Sequence, residues 1–396
     1  MWSTRLDWNA PENALAARVR ERRRRADLLD LTESNPTKVG LDYPTDALRA
    51  ALAAADPGRY DPAPLGLPTA RAAVAADYAA GGAVVDPAHV AITASSSDSC
   101  ALLFKLLCDP GDAVLIPEPS YPLHDYLIRL EGAVPIGYRL TFDGAWSIDH
   151  ASLADALAAA RARGARPRAI VVVSPNNPTG AFVKRDELGR LAEVAARAGM
   201  AIIADEVFAP YAYGSDPARA FPAALAPELA AAVPTFSLGG LSKSCGLPHL
   251  KLGWILIGGA DVDASLAALE LIADNYLSVG APVQDALGAL FSLGAGIRAS
   301  IAERIALNRA ALARALGAAP GCSLLPAEAG WSAIIRVPAV RSDEAWAGDL
   351  VTQAGVLVHP GYLFDMRRGT FLVVSLLPEP ALFAQALRRI GGVLGT

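Results

Sequence analysis

Two apolar, β-branched runs constrain this chain most: AIVVVS at Ala169–Ser174 and MAIIAD at Met200–Asp205, separated by the loop PNNPTG and by residues 184–197, which have the composition of a helix. Strands joined through a helix are expected to run parallel, because a parallel pair needs a long crossover where an antiparallel pair needs only a short turn. Parallel strands are covered on both faces, and VVV and II accordingly show no alternation of polar and apolar residues. Both strands then end on the same edge of a sheet. In an open parallel sheet that edge is where ligands bind, so the residues that end each strand are the ones to inspect for chemistry.

The same grammar recurs. HVAIT (His89–Thr93) reads as a buried strand followed by ASSSD and a helix through Asp98–Cys108, and DAVLIPEPSY is a strand running into a proline-flanked loop. The 396 residues, 53% of them hydrophobic, are enough for a large core and two domains. The expected fold class is α/β. Residues 1–44 read as an N-terminal arm, with a helix around Asn13–Asp27, that packs against the smaller domain. Residues 45–282 read as a large domain with a mostly parallel sheet between helices. Residues 283–396 read as a smaller α+β domain: helices to about Leu316, strands in WSAIIRVP and FLVVSLL, and a terminal helix near Pro380–Leu394.

Bulk properties exclude several classes. A net charge of −5 offers no broad attraction for nucleic acid, and the basic run Arg22–Arg25 reads as a solvated helix face. Cys100, Cys108, Cys245 and Cys322 lack CxxC spacing, and the five histidines form no ligand motif, so neither a disulfide framework nor a metal site is indicated. No secretory leader or stretch of about 18 apolar residues is visible, and a cytoplasmic location is the expectation.

The strand ends are chemical. Ser95, Ser96 and Ser97 precede a helix whose first N–H groups and positive dipole end suit a phosphate, although a serine there can also be a simple cap. The crossover delivers Asn177 after one strand and Asp205 after the next. A carboxylate ending a buried strand needs a cationic partner, for which a pyridinium nitrogen would serve. Only five of the 35 basic residues are lysines, so Lys243 in SLGGLSKSCGL is not the default cation. A desolvated lysine loses its proton more readily and exposes the amine needed to form an imine.

The order and spacing of TASSS, PSY, SPNNPTG, ADEVF and SKxxxxxxxK resemble the class I/II aminotransferases, pyridoxal 5′-phosphate (PLP) enzymes of fold type I, over nearly the whole chain. The resemblance implies that Lys243 is the Schiff-base lysine and proton shuttle, that Asp205 pairs with the pyridine nitrogen, and that Asn177 bonds the phenolic oxygen. It further implies that Tyr121 and Val207 pack on the two ring faces, and that Ser95, Ser96, Ser97 and Lys251 hold the phosphate. Tyr60, in RYDPAPLGLP, resembles a tyrosine that reaches the neighbouring subunit's phosphate, which implies a homodimer.

Three departures from the family pattern stand out. Phe208 replaces a tyrosine that would donate to the coenzyme oxygen, with Tyr211 nearby as a substitute. Lys251 replaces an arginine, offering the phosphate a point charge in place of a fork. Val373, two residues before Ser375, stands where an arginine would clamp the substrate carboxylate. Either Arg367 or Arg368 enters the site, or Asn177 and the Asn35 loop hold the carboxylate, or the substrate is not an ordinary α-amino acid. The expected activity is transfer of an amino group from an amino acid or related amine to a 2-oxo acid. The alternatives are a lyase of the same fold, such as a carbon–sulfur β-lyase or a cyclopropane-forming synthase, and a PLP-binding regulator.

Overall fold

A computed structural model describes all residues except 1, 10–12, 26, 57, 59, 318 and 396. The first strand is the short β1 (Leu29–Asp30). Eight strands follow in chain order: β2 (Val90–Thr93), β3 (Ala113–Glu118), β4 (Val134–Phe142), β5 (Trp146–Ile148), β6 (Pro167–Val173), β7 (Ala201–Asp205), β8 (Pro234–Gly240) and β9 (Gly253–Gly259). They form one sheet in the order β2-β9-β8-β7-β6-β3-β4-β5. Strands β4, β3, β6, β7 and β8 are mutually parallel; β9 runs against both of its neighbours, and β5 is an antiparallel edge.

Alternate side chains of these strands serve two cores, which is why the runs lack polar positions. Leu115, Ile170, Val172 and Ile202 face Leu153, Leu188 and Leu191 on one side. Val114, Val171, Ile203 and Phe236 face Leu103, Phe104, Ile128 and Leu269 on the other. Each fully buried Val, Leu, Ile or Phe contributes roughly 1.5–3 kcal/mol before entropy is charged, so the β-branched runs drive the crossover into place. Its helix, Arg185–Ala198, starts where the Glu187 carboxylate accepts the Lys184 N–H (2.9 Å), and it ends at Gly199, whose φ of +65° suits glycine.

Five more strands, β10 (Ser323–Leu324), β11 (Ser332–Arg336), β12 (Val356–Leu357), β13 (His359–Pro360) and β14 (Phe371–Ser375), lie beyond the 31-residue helix Leu287–Gly317. An antiparallel sheet has the order β10-β11-β14-β13, while β1 pairs in parallel with β12. The Ser375 N–H donates to the Leu31 carbonyl (2.7 Å), so the N-terminal segment is stitched to the end of β14. The N-terminal helix spans Ala14–Arg23, capped by the Asn13 side chain, and is shorter than the expected Asn13–Asp27 span, within which Ala26 lies outside the described residues. The terminal helix is Pro380–Leu394. Among the described residues, no helix is long and apolar enough to cross a membrane.

Candidate active site

The carboxyl edge of the large sheet gathers the chemical residues of the sequence. In register, Val173 of β6 faces Asp205 of β7, which faces Leu238 of β8. The Ser174 N–H donates to the Asp205 carbonyl (2.9 Å), so the turn carrying Asn177 starts beside Asp205. Strand β8 ends at Gly240 and passes into the short helical turn Leu241–Ser244, which carries Lys243 to the same edge.

Asp205 is buried, and burial raises its pKa above the usual carboxylate value; nearby His124, the Val207 N–H (3.3 Å) and the Lys243 charge pull the other way. His124 Nε2 lies 3.6 Å from the Asp205 carboxylate, too far for a hydrogen bond, and both buried imidazole nitrogens lack a hydrogen-bond partner among the described residues. Burial also lowers the His124 pKa, so the pair meets as two reluctant charges. His124, at the start of helix Leu123–Leu130, is a site residue that the sequence reading missed. A histidine 81 positions from Asp205 carries no local signal.

Lys243 has its pKa lowered by burial, while Asp205 favours its charge. Its Nζ lies 4.9 Å from the Trp331 ring centroid and 5.4 Å from that of Phe208. Tyr211 is buried, and its hydroxyl donates to the Lys243 backbone carbonyl (2.7 Å). It therefore secures the turn that bears Lys243.

Ser95 is the N-cap of helix Ser96–Leu107; its hydroxyl accepts the Asp98 N–H (3.1 Å), and Asp98 in turn accepts the Ala94 N–H (2.9 Å). The Ser96 and Ser97 N–H groups fall in the first turn, where no helical carbonyl can reach them. Gly253 makes this turn possible. A Cβ there would lie 2.8 Å from the Ser95 carbonyl carbon and 3.0 Å from Ser96 N. Lys251, two residues earlier, has a left-handed backbone (φ 48°) and an exposed side chain.

Asn176 and Asn177 separate by role. Asn176 is buried in its own turn, donating to the Pro119 carbonyl and accepting from Thr179, whereas Asn177 Oδ1 accepts from Ser332 Oγ (3.1 Å) and, among the described residues, its amide hydrogens have no partner. Tyr121 is 52% exposed, with its ring 6.4 Å from that of Phe364. Val207 is partly buried, directly after the Asp205–Glu206 pair. Asn35 caps the turn Pro36–Lys38 through its Oδ1, and Tyr60 is 79% exposed.

Val373 lies in β14 opposite Ile334 and His359 and packs in an apolar layer with Phe364, Met366 and Phe371. Arg367 is tied to Glu118 (3.2 Å), and Arg367 and Arg368 are exposed on the rim of a cavity of about 1160 Å³. That cavity borders Tyr121 and His124, but Lys243 and Asp205 do not line it. The catalytic candidates are placed by the sheet edge, where the buried ionisable groups converge, and not by that cavity.

Residues 26–390 match the family of class I and II aminotransferases. The chain belongs to this family. It is 27% identical over 381 residues to an alanine aminotransferase of Mycobacterium bovis, covering 93% of this chain and 85% of the relative. It is 29% identical over 394 residues to a valine–pyruvate aminotransferase of Mycobacterium tuberculosis, covering 96% and 94%. In fold it is similar to an alanine aminotransferase from Pyrococcus furiosus, with a TM-score of 0.85, 23% identity and both chains covered completely. This aminotransferase thus has the mixed α/β sheet of fold type I, and the family's members depend on PLP. The lyase alternative finds no support among these relatives.

Proposed function

We propose that this aminotransferase carries PLP on Lys243 and moves the amino group of a neutral α-amino acid to a 2-oxo acid. The observation that carries the proposal is the convergence of Lys243, Asp205 and the Ser95–Ser97 turn on one sheet edge. The site's unmet chemistry fits that coenzyme. Asp205 is a buried carboxylate without a hydrogen-bonded cation, a place for a protonated pyridine nitrogen, and His124 beside it has two unsatisfied ring nitrogens. The first turn of helix Ser96–Leu107 leaves N–H groups for phosphate.

When bound, PLP supplies an electron sink that weakens the bonds to the substrate α-carbon. The protein's residues do the rest. Asp205 would pair with the pyridine nitrogen and favour its protonated form, and Asn177, whose oxygen is turned to Ser332, would offer its amide to the phenolic oxygen. Tyr121 and Val207 confine the ring between them. Ser95, Ser96, Ser97 and Lys251 hold the phosphate, joined by Tyr60 of a second copy in a homodimer; the high exposure of Tyr60 supports that assignment. Lys243 Nζ, once released from the coenzyme, would be the group that accepts the substrate α-proton and holds it for return. In this reading the arm 1–44, the large domain 45–282 and the small domain 283–396 enclose the site, supported by the two separate sheets and the β1–β12 pairing.

A neutral side chain is favoured because the aromatic rings of Trp331 and Phe208 flank the amine. The alanine and valine–pyruvate relatives support the same choice. A second amide hydrogen of Asn177 and the Asn35 loop would hold the carboxylate. The test begins with addition of PLP, borohydride reduction and peptide mass spectrometry, which should locate the coenzyme on Lys243. Lys243→Ala should abolish labelling and activity together. L-Alanine alone should then yield stoichiometric pyruvate, with turnover restored by a second oxo acid. Label on another lysine refutes the Lys243 assignment, and multiple turnovers of L-cysteine to pyruvate, ammonia and sulfide without an acceptor would establish the lyase instead.

A further inference from the structure

Trp331 was not visible as a site residue in the sequence, yet it makes the closer of the two aromatic contacts to Lys243. It begins the approach to β11, is 3% exposed, and is held from both sides: the Gly330 N–H donates to the Tyr211 carbonyl (3.1 Å) and the Leu376 N–H to the Trp331 carbonyl (2.7 Å). Its ring meets Phe208 and Tyr211 edge-on, with centroids 5.4 and 5.1 Å apart. The indole is therefore fixed in position before any ligand arrives.

Two observations argue that the indole does more than fill space. Its Nε1 is buried with no acceptor among the described residues, a cost that an apolar side chain at this position would avoid. Its ring faces Lys243 Nζ at 4.9 Å, with Phe208 at 5.4 Å, both within the roughly 6 Å over which a ring face attracts a cation. Among the described residues, Nζ makes no hydrogen bond or ion pair of its own.

We infer that Trp331, with Phe208, forms an aromatic cage that attracts Lys243 Nζ in its protonated form and keeps it in place, which makes Trp331 a positioning residue for the amine. The inference rests on Lys243 being the coenzyme-binding lysine. Hydrogen bonds would lock the nitrogen in one direction; ring faces attract it without direction, so it can swing between the atoms that exchange the proton. The charged group acting on Lys243 from the adjoining strand is Asp205, while Tyr211 contributes a neutral hydroxyl already spent on the Lys243 carbonyl. Both Asp205 and the cage favour the ammonium, against the burial that disfavours it.

A structural filler and a cation cage predict opposite signs. Removing a ring face in Trp331→Leu should lower the Lys243 pKa by about one unit, a tenfold gain in free amine at a given pH. A filler role predicts the reverse: the hole left by leucine admits water and lets the pKa rise toward its ordinary value. The measurement is trace acetylation of the full-length coenzyme-free chain with acetic anhydride across pH 7–11. The Lys243 peptide is quantified by mass spectrometry against those of Lys38 and Lys105. A lowered Lys243 pKa supports the cage; an unchanged or raised one overturns it. Phe208→Leu should shift the same pKa downward by about half as much, and decides the matter if the tryptophan variant does not fold. Because the readout is the amine of the coenzyme-free protein, it stands apart from the labelling test of Lys243: loss of PLP attachment would sink the functional reading and leave the cage measurement intact.

Discussion

Glu206 sits beside Asp205 at the end of β7, 3% exposed, with one oxygen accepting the Ala223 N–H (2.8 Å) and the other without a partner. Burial pushes its pKa from 4.5 up to about 8. Between those values the folded chain keeps a proton that the unfolded chain has released. The folded state binds more protons there, so stability is greatest below 4.5 and is lost as pH rises through about 8. At about 1.4 kcal/mol per pH unit, the loss is about 5 kcal/mol across the window, about 2 kcal/mol of it between pH 6 and 8. Glu206→Gln keeps the carbonyl oxygen for Ala223 and cannot ionise. Its stability relative to the parent should therefore improve by about 2–3 kcal/mol on going from pH 6 to pH 8. Denaturant unfolding of both proteins at both pH values measures this double difference, in which effects common to the two pH values cancel. Parallel pH profiles for parent and variant would falsify the assignment of a retained proton to Glu206.

The phosphate cradle allows two further checks. In Gly253→Ala the new methyl meets Ser95 and Ser96 backbone, which cannot step aside as a side chain would; the overpacking should cost about 1–3 kcal/mol and weaken PLP binding. Fluorescence titration should show a loss of at least about tenfold for PLP and much less for pyridoxal, which lacks the phosphate; equal losses would place the phosphate elsewhere. Ser95→Ala should lower thermal stability through loss of its cap on the Asp98 N–H, worth about 1 kcal/mol, while Ser96→Ala with Ser97→Ala should spare stability and weaken PLP binding. The reverse ordering in melting and titration experiments would exchange their roles.

How much of this was legible before folding depended on whether the signal was local. Val171, Val172, Ile202 and Ile203 announced buried strands because β-branched residues without polar alternation fit only a sheet covered on both faces. The intervening 184–197 stretch announced a crossover, and a crossover alone puts Asn177 and Asp205 on one edge. Lys243 was legible through its rarity and its fixed distance from the other motifs. The absence of an arginine at Val373 was legible too, but its meaning was not. Only the pairing of β14 with β11 and β13 shows the valine sealed in an apolar layer with Phe364 and Phe371. Tyr211 looked like a replacement for the missing hydroxyl near Phe208, and in the fold its hydroxyl donates to the Lys243 backbone carbonyl. His124, Gly253 and Trp331 had no local signature at all. Each acts on a group far away in sequence, His124 on Asp205, Gly253 on Ser95, Trp331 on Lys243. The sequence by itself determined which residues end the strands, because periodicity and side-chain shape act over a few positions. Tertiary structure decided which of those residues meet and how their charges are perturbed, because strand order and burial are properties of the whole packed chain.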